Sequence, residues 1–343
     1  MRGSVRPAAL CFLAAMLAAC SASAPDGSRA PALILPGLAA QQASLHRLRV
    51  VGGDNQTLVT LEKDRGLWRV RERVDWPADP LLVNDVITTL AQVHGSEAKT
   101  DDPALYARIG VEPVALPASR STELQLEGDG GKFAVLIGRL RLNPRGSYLR
   151  VSADKQSWFG DRVLDVPRDP SEWLDHGLVD LPLARVAAVD IAPADSPAFR
   201  LVRADDRFRV DDVAPVAAKG SRQADALAGV LNQLRFEDVA RDVDAPVPER
   251  ELKFLGIDGL AISMQCWRRE GRIWVRMNAS VDEARAAAWF AQTARSGGDA
   301  DIAGLHARVQ AMQARWSGYV FRLPALEASV LMQGRGQLLA DAP

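Results

Sequence analysis

The side chains of this chain that could act as bases, nucleophiles or metal ligands are few, and their spacing does not gather them. Its four histidines, His46, His94, His176 and His306, lie far apart, and none begins a metal-ligand spacing. His94 falls at a predicted helix end, where a cation faces the negative pole of the dipole. His306 borders an apolar stripe, and structural roles are expected for all four. Asp299 and Asp301 follow two glycines but lack the other oxygen ligands of a calcium loop, so they read as a turn and a helix N-cap. Asp205 with Asp206, and Glu249 with Glu251, sit beside predicted turns as solvated charge. Two carboxylates of a glycosidase need only converge in space, so a hydrolase of this type stays open as an alternative. No Gly-x-Ser-x-Gly elbow, P-loop or His-Glu-x-x-His occurs. The residues predict no catalytic centre, no metal and no cofactor. Cys266, between Met264 and Trp267 in a strand-like run, is expected to be a buried thiol, since no histidine lies near it in sequence to activate it.

Cys20 differs because of what precedes it. Arg2 and Arg6 make a positive start, residues 8–16 an apolar segment, and Ala18 and Ala19 a small-residue site, the three parts of a secretory signal. The apolar segment is shorter than the roughly 20 residues that span a bilayer. Cleavage after Ala22 or Ala24 would leave an unanchored chain. The run Leu17-Ala18-Ala19-Cys20 resembles the lipobox of bacterial lipoproteins. That resemblance implies a signal peptide at residues 1–19, a diacylglyceryl group on the Cys20 sulfur and an acylated amino terminus. A single acyl chain holds a protein only marginally, whereas two or three, at about 0.8 kcal/mol per buried methylene, hold it durably. Ser21 in place of an aspartate implies, by the same resemblance, the outer rather than the inner membrane. Residues 20–32, rich in Ser, Ala, Pro and Gly, read as a lipidated tether facing the periplasm.

The formal charge of the whole chain is −1, and loss of Arg2 and Arg6 makes it slightly more negative. Nothing in that balance suggests nucleic-acid binding or a polybasic patch for anionic lipid. If the signal is removed, Cys266 is the one thiol left besides Cys20, so no internal disulfide is expected.

Behind the tether the chain reads as the same unit written twice. Leu61 to Val70 resembles Leu201 to Val210, each a hairpin of alternating apolar residues around a charged turn. An amphipathic helix follows each: Val83, Val86, Ile87, Leu90 and Val93 form one face, and Leu227, Val230, Leu231 and Leu234 the other. Glycine turns at Gly110 and Gly256, and strands at Gly146–Arg150 and Gly318–Arg322, complete the match. The expected class is α+β: two tandem antiparallel units, β-β-β-α-β-β-β, each with one packed helix. The units span residues 33–181 and 182–343, with a helical insertion at 281–316. Eight tryptophans are many for this length. Most fall in strands and read as core, while Trp289, Phe290 and Trp316 in the insertion are the candidates for a partner surface.

In this order, Leu35-Pro36-Gly37-Leu38, Gly66-Leu67-Trp68-Arg69-Val70, Trp76-Pro77-Ala78-Asp79, Leu105 to Val111, Gly146 to Arg150 and Trp316 to Pro324 resemble the bacterial domain-of-unknown-function 4340 family. The resemblance covers roughly residues 33–332. It implies an exported or membrane-held protein, often associated with ABC transporters of the gliding-motility type, and it supplies no catalytic residues. Family members usually begin with a transmembrane helix, where this chain is expected to carry a lipid. The expected function is a non-enzymatic envelope lipoprotein that binds a protein partner; the alternative is an envelope hydrolase acting on glycan or peptidoglycan.

Overall fold

The computed structural model describes residues 32–204, 206–211, 221–243, 246–295 and 301–339. The expectations for residues 1–19, for Cys20 and its tether up to residue 31, for Asp205, for the glycine break after residue 295 and for Asp299 lie outside the described residues.

The first half builds β1 (Ala32–Leu33), α1 (Leu38–Gln41), β2 (Leu45–Val51), β3 (Thr57–Asp64), β4 (Leu67–Val70) and β5 (Trp76–Pro77). It continues through α2 (Pro80–Gln92), β6 (His94–Ala98), α3 (Tyr106–Ile109), β7 (Thr122–Gly128), β8 (Gly131–Leu142), β9 (Arg145–Val151) and β10 (Ser157–Gly160). These strands form one antiparallel sheet in the order β1-β6-β10-β9-β8-β7-β2-β3-β4-β5. The β3–β4 turn places Arg65 at φ 49° and Gly66 at φ 86°, and two successive positive φ angles mark the turn whose twist suits a tight hairpin. α2 starts where Asp79 accepts hydrogen bonds from the Leu81 and Leu82 amides ahead of Pro80, and its Val83, Val86, Ile87 and Leu90 are buried against the sheet.

The second half adds β11 (Gly177–Val179), β12 (Val186–Pro193), β13 (Phe199–Ala204), β14 (Arg207–Val210), α4 (Arg222–Ala228), β15 (Leu234–Arg235), β16 (Asp238–Arg241) and β17 (Arg250–Gly256). Then come β18 (Leu260–Arg269), β19 (Arg272–Val281), α5 (Glu283–Arg295), α6 (Ile302–Trp316), β20 (Tyr319–Arg322), α7 (Ala325–Leu331) and α8 (Arg335–Leu339). Its sheet runs β14-β13-β12-β17-β18-β19-β20-β16, and β11 pairs separately with β15. The β18–β19 turn repeats the paired positive φ at Glu270 and Gly271.

The class is α+β, with antiparallel sheets and segregated helices. Read as β4-β3-β2-β7-β8-β9-β10-β6, the first sheet follows the same path as the second. Several details differ from the sequence reading. Five strands of the large sheet, not three, follow the helix in each half. The overlooked ones, such as β6 (His-Gly-Ser-Glu-Ala) and β16 (Asp-Val-Ala-Arg), are short and carry almost no apolar alternation. The strand of Tyr319 occupies the place of β10, not of the Tyr148 strand β9. Gly110 closes a helical turn whereas Gly256 ends a strand. The second helix stops at Ala228 with Gly229 as its C-cap, so Val230, Leu231 and Leu234 lie beyond it, though all remain buried. More than one helix packs on the second sheet, since α4, α6, α7 and α8 all contribute buried apolar residues.

The two halves share a continuous apolar core. Trp76, 1% exposed in the first sheet, meets Phe236, Tyr319 and Phe321 of the second half edge-on, with ring centroids 5.2–5.5 Å away. Its indole N–H donates to the Asp175 carbonyl at 3.0 Å, and the Arg315 guanidinium lies 5.3 Å over its ring. Across the same junction Arg73 Nε reaches Asp238 Oδ1 at 2.6 Å.

Candidate functional site

Each sheet has an inner face, which packs on helices and core, and an outer face. In the first sheet the outer face is apolar in part, and that part is covered by the chain itself, while Arg47, Arg49, Gln125, Glu127, Lys132 and Ala134 of the same face line a cavity of about 220 Å³. Residues 99–121, between β6 and β7, lay Tyr106, Val111 and Val114 over Val51 and Leu136. Arg150, 5% exposed, fastens this cover: Nε donates to the Val111 carbonyl at 3.0 Å, Nη1 donates to the Asp154 carbonyl at 2.8 Å, and the guanidinium stacks 4.4 Å from the Tyr106 ring centroid. Burial pushes its pKa below the ordinary arginine value. Gly138 admits the end of α3, since a Cβ there would stand 2.2 Å from the Ile109 carbonyl oxygen.

In the second sheet the link from β16 to β17, residues 242–249, is short, and among the described residues no segment covers the outer face where β12, β17, β18 and β19 run. There it forms a cavity of about 780 Å³, to which only strands β12, β13, β17, β18 and β19, with Ala198 beside them, contribute lining residues. Strand alternation and register set two cross-strand rows on this face. One row is Arg276, Gln265 and Glu251; the other is Asn278, Ser263, Lys253, Asp190 and Arg200. The first row is a hydrogen-bonded chain. Arg276 holds Asp242 through Nε at 2.6 Å and Nη2 at 2.9 Å, and its Nη1 donates to Gln265 Oε1 at 2.7 Å. Gln265 Nε2 in turn donates to Glu251 Oε1 at 2.8 Å. In the second row Arg200 grips Asp190 through two nitrogens, with Nη2 to Oδ2 at 3.0 Å. Hydrogen bonding to Asp242 raises the Arg276 pKa, and hydrogen bonding to Asp190 raises that of Arg200. Buried apolar groups flank the rows: Ala188, Leu255 and Ala261 at one end, Trp267, Trp274 and Val320 at the other. The arrangement offers fixed donors, acceptors and balanced charge over a broad face, which suits binding a polar surface or segment rather than reacting with one.

Of the residues singled out in the sequence, Glu251 lies on this face, in strand β17, and the candidates for a partner surface lie elsewhere. Trp316 is 2% exposed in the core and presents no surface to a partner, because α6 turns its stripe of Leu305, Val309 and Trp316 inward. Trp289 and Phe290 are half-buried and line a small cavity of about 200 Å³ with Arg185, Asp258 and Arg308, where Arg185 and Arg308 both pair with buried Asp258. Cys266 is fully buried, and burial pushes its thiol up to about 12. The histidines remain scattered: Nδ1 of His176 pairs with the Phe236 carbonyl at 2.7 Å, and His306 faces Glu283 at 3.6 Å. Among the described residues no cluster of His, Cys, Asp and Glu could hold a metal ion, and no helix is long and apolar enough to cross a membrane. Apart from Glu251, the open face left no mark in the sequence. Its residues are ordinary outward-facing strand positions, and what distinguishes it is the shortness of the 242–249 link.

A family model described as a domain of unknown function, DUF4340, matches residues 68–253, from β4 to within β17. No curated protein and no solved structure matches the chain.

Proposed function

The chain belongs to the DUF4340 family, and from that premise we propose that it is a non-enzymatic lipoprotein of the cell envelope whose second sheet is a partner-binding face. The observation that carries this reading is the contrast between the two outer faces. The apolar part of the first is closed by residues 99–121, and among the described residues no such segment lies over the second, on a sheet of the same path, which is left as the 780 Å³ cavity. In this reading the body arose by tandem duplication, with the units meeting near residues 181 and 182. The shared strand order supports that origin. The first unit then indicates what fits the open face of the second: a polypeptide segment laid across the strands. Residues 1–19 would be the signal and Cys20 the lipid-bearing residue, favouring the outer membrane. The partner would belong to an envelope assembly, of the ABC type if the family's usual association holds.

An envelope hydrolase is the competing reading. The carboxylates that share the cavity are Asp190 and Glu251. A glycosidase needs one of its pair to carry a transferable proton, whereas Asp190 is bound by Arg200 and Glu251 accepts from Gln265. Their engagement favours binding.

Two measurements test the proposal. A photo-crosslinking residue at Lys253 of the lipidated chain, activated in intact envelopes, is expected to give a discrete adduct that the same residue at Lys132 on the first sheet does not give. No adduct above that control refutes the binding face. The Cys20→Ala chain is expected to leave the membrane in high salt, and its retention refutes the lipid anchor.

A further inference from the structure

A hairpin of the first sheet projects beyond its neighbours. β7 stops pairing with β8 at Ile137, and β10 stops pairing with β9 at Tyr148, so the strand ends beyond pair only with each other. Residues 139–145 read Arg-Leu-Arg-Leu-Asn-Pro-Arg, and every one of them is exposed. Leu140 is 46% and Leu142 73% exposed. Alternation sets the leucines on one face and Arg139 and Arg141 on the other. Among the described residues none of Arg139, Arg141 and Arg145 pairs with a carboxylate. Arg141 lies 5.5 Å over the Phe159 ring and donates to the Asn143 carbonyl. Three arginines are fewer than a polybasic cluster, but the near-neutral overall balance does not show that they are concentrated in one turn. Unpaired arginines beside exposed leucines suit the headgroup layer of an anionic bilayer, which takes the charge at its phosphates and the side chains at its apolar boundary.

The second observation is where the chain joins the sheet. Ala32 pairs with Gly95 and Gly95 with Gly160, while Leu140 pairs with Ser147 on β9, the next strand over. Ala32 and the base of the hairpin therefore lie at one level of the sheet, four strand spacings or about 20 Å apart. The twelve residues from Cys20 to 31 reach about 40 Å when extended. A lipid on Cys20 thus leaves the hairpin within reach of the same bilayer.

We propose that this hairpin, residues 139–145, docks on the anionic headgroup surface of the membrane that holds the Cys20 anchor and so fixes how the body stands on it. The proposal rests on the lipid-anchor reading. Each arginine near such a surface contributes about fivefold in partitioning, so losing three weakens the contact about 100-fold.

The test uses the lipidated full chain on vesicles, with an environment-sensitive fluorophore on Leu142→Cys. Cys266 is buried and Cys20 acylated, so the label has one target. On vesicles of phosphatidylcholine with phosphatidylglycerol the emission is expected to shift blue and to be quenched by lipid-borne quenchers. The response should shrink in 0.5 M salt, on pure phosphatidylcholine, and in the Arg139→Gln/Arg141→Gln/Arg145→Gln chain. The same label on Leu67→Cys, 56% exposed in the β3–β4 hairpin, should not respond. A silent label on a chain that still floats with the vesicles overturns the hairpin proposal and leaves the anchor standing. A response that requires envelope protein rather than lipid also overturns it, in favour of an acidic protein partner. If the chain does not float, the anchor reading has failed. Titration of that chain with anionic vesicles then decides, since a triple Gln chain that binds as well as the parent overturns the proposal.

Discussion

Trp76→Ala is expected to loosen the junction between the two sheets and cost about 5 kcal/mol. Trp76 is 1% exposed, and the three rings it meets, Phe236, Tyr319 and Phe321, all belong to the second half. Truncating a buried Trp to Ala costs about 3–5 kcal/mol, and three edge-to-face contacts place this site at the upper end. The lost indole N–H also leaves the Asp175 carbonyl without its donor. Set against a usual stability of about 5–15 kcal/mol, the loss is a large share. Trp76→Phe keeps most of the apolar contact and loses the hydrogen bond, for an expected 1–2 kcal/mol. Urea unfolding followed by far-ultraviolet circular dichroism reads both. The parent should unfold in one transition, Trp76→Phe in one at a lower midpoint, and Trp76→Ala in two, as the halves part before either melts. Arg73 to Asp238 is a partly buried ion pair across the same seam, and it should not suffice to keep the halves coupled. A Trp76→Ala chain that loses less than about 2 kcal/mol in a single transition refutes the assignment of Trp76 as the tie.

Three further outcomes follow from buried polar groups. Arg150→Met should cost about 3 kcal/mol and raise amide hydrogen exchange in residues 99–121, the cover that Arg150 fastens; unchanged exchange there refutes that role. Arg250 is 6% exposed, its pKa is lowered by burial, and its Nη1 donates to the Leu331 and Gln333 carbonyls at the end of α7. Arg250→Met should cost a similar amount and raise exchange in residues 325–339 while leaving residues 99–121 unchanged. The Cys266 thiol, raised from 9.0 to about 12, keeps its proton in the folded chain after the unfolded chain has lost it. Stability from this group is therefore complete below pH 9 and falls by about 1.4 kcal/mol per unit as pH rises toward 12. Relative to Cys266→Ala, the parent should lose stability over that window in denaturant titrations, and parallel curves refute the burial argument.

Much of the scaffold was legible because it is written in local chemistry. The charged turn within Leu61 to Val70 marks a hairpin, and the stripe of α2 carries the 3.6-residue period. The burial of Cys266 was readable from its apolar neighbours. Short edge strands were not: Ser157–Gly160 and Asp238–Arg241 are held by pairing on the sheet, and nothing in their own pattern calls for a strand. Trp316 was misread because a tryptophan at the end of an amphipathic helix looks the same whether its stripe faces a partner or the protein's own core. The open face was invisible for a further reason. Its identity depends on a segment that one half has and the other lacks, which only the sheet order brings into comparison.

That difference also constrains what the open face can bind. In the first sheet Val51 and Leu136 point outward, so water would be an unfavourable neighbour and the cover is part of folding. In the second sheet the row matching Val51 and Leu136 is Ala192, Glu251, Gln265 and Arg276, and the row beside it carries Asp190, Lys253, Ser263 and Asn278, polar groups that water satisfies. The second unit therefore folds without a cover, and whatever binds there must replace hydrogen bonds to water with equally good ones. The internal chain Asp242–Arg276–Gln265–Glu251 holds these groups in place before a partner arrives, so little side-chain order is lost on binding. Such a face favours selective, reversible association over permanent burial. If the lipid anchor and the docking hairpin hold, permanence would come from the lipid on Cys20 and from residues 139–145, leaving the second sheet free to bind reversibly.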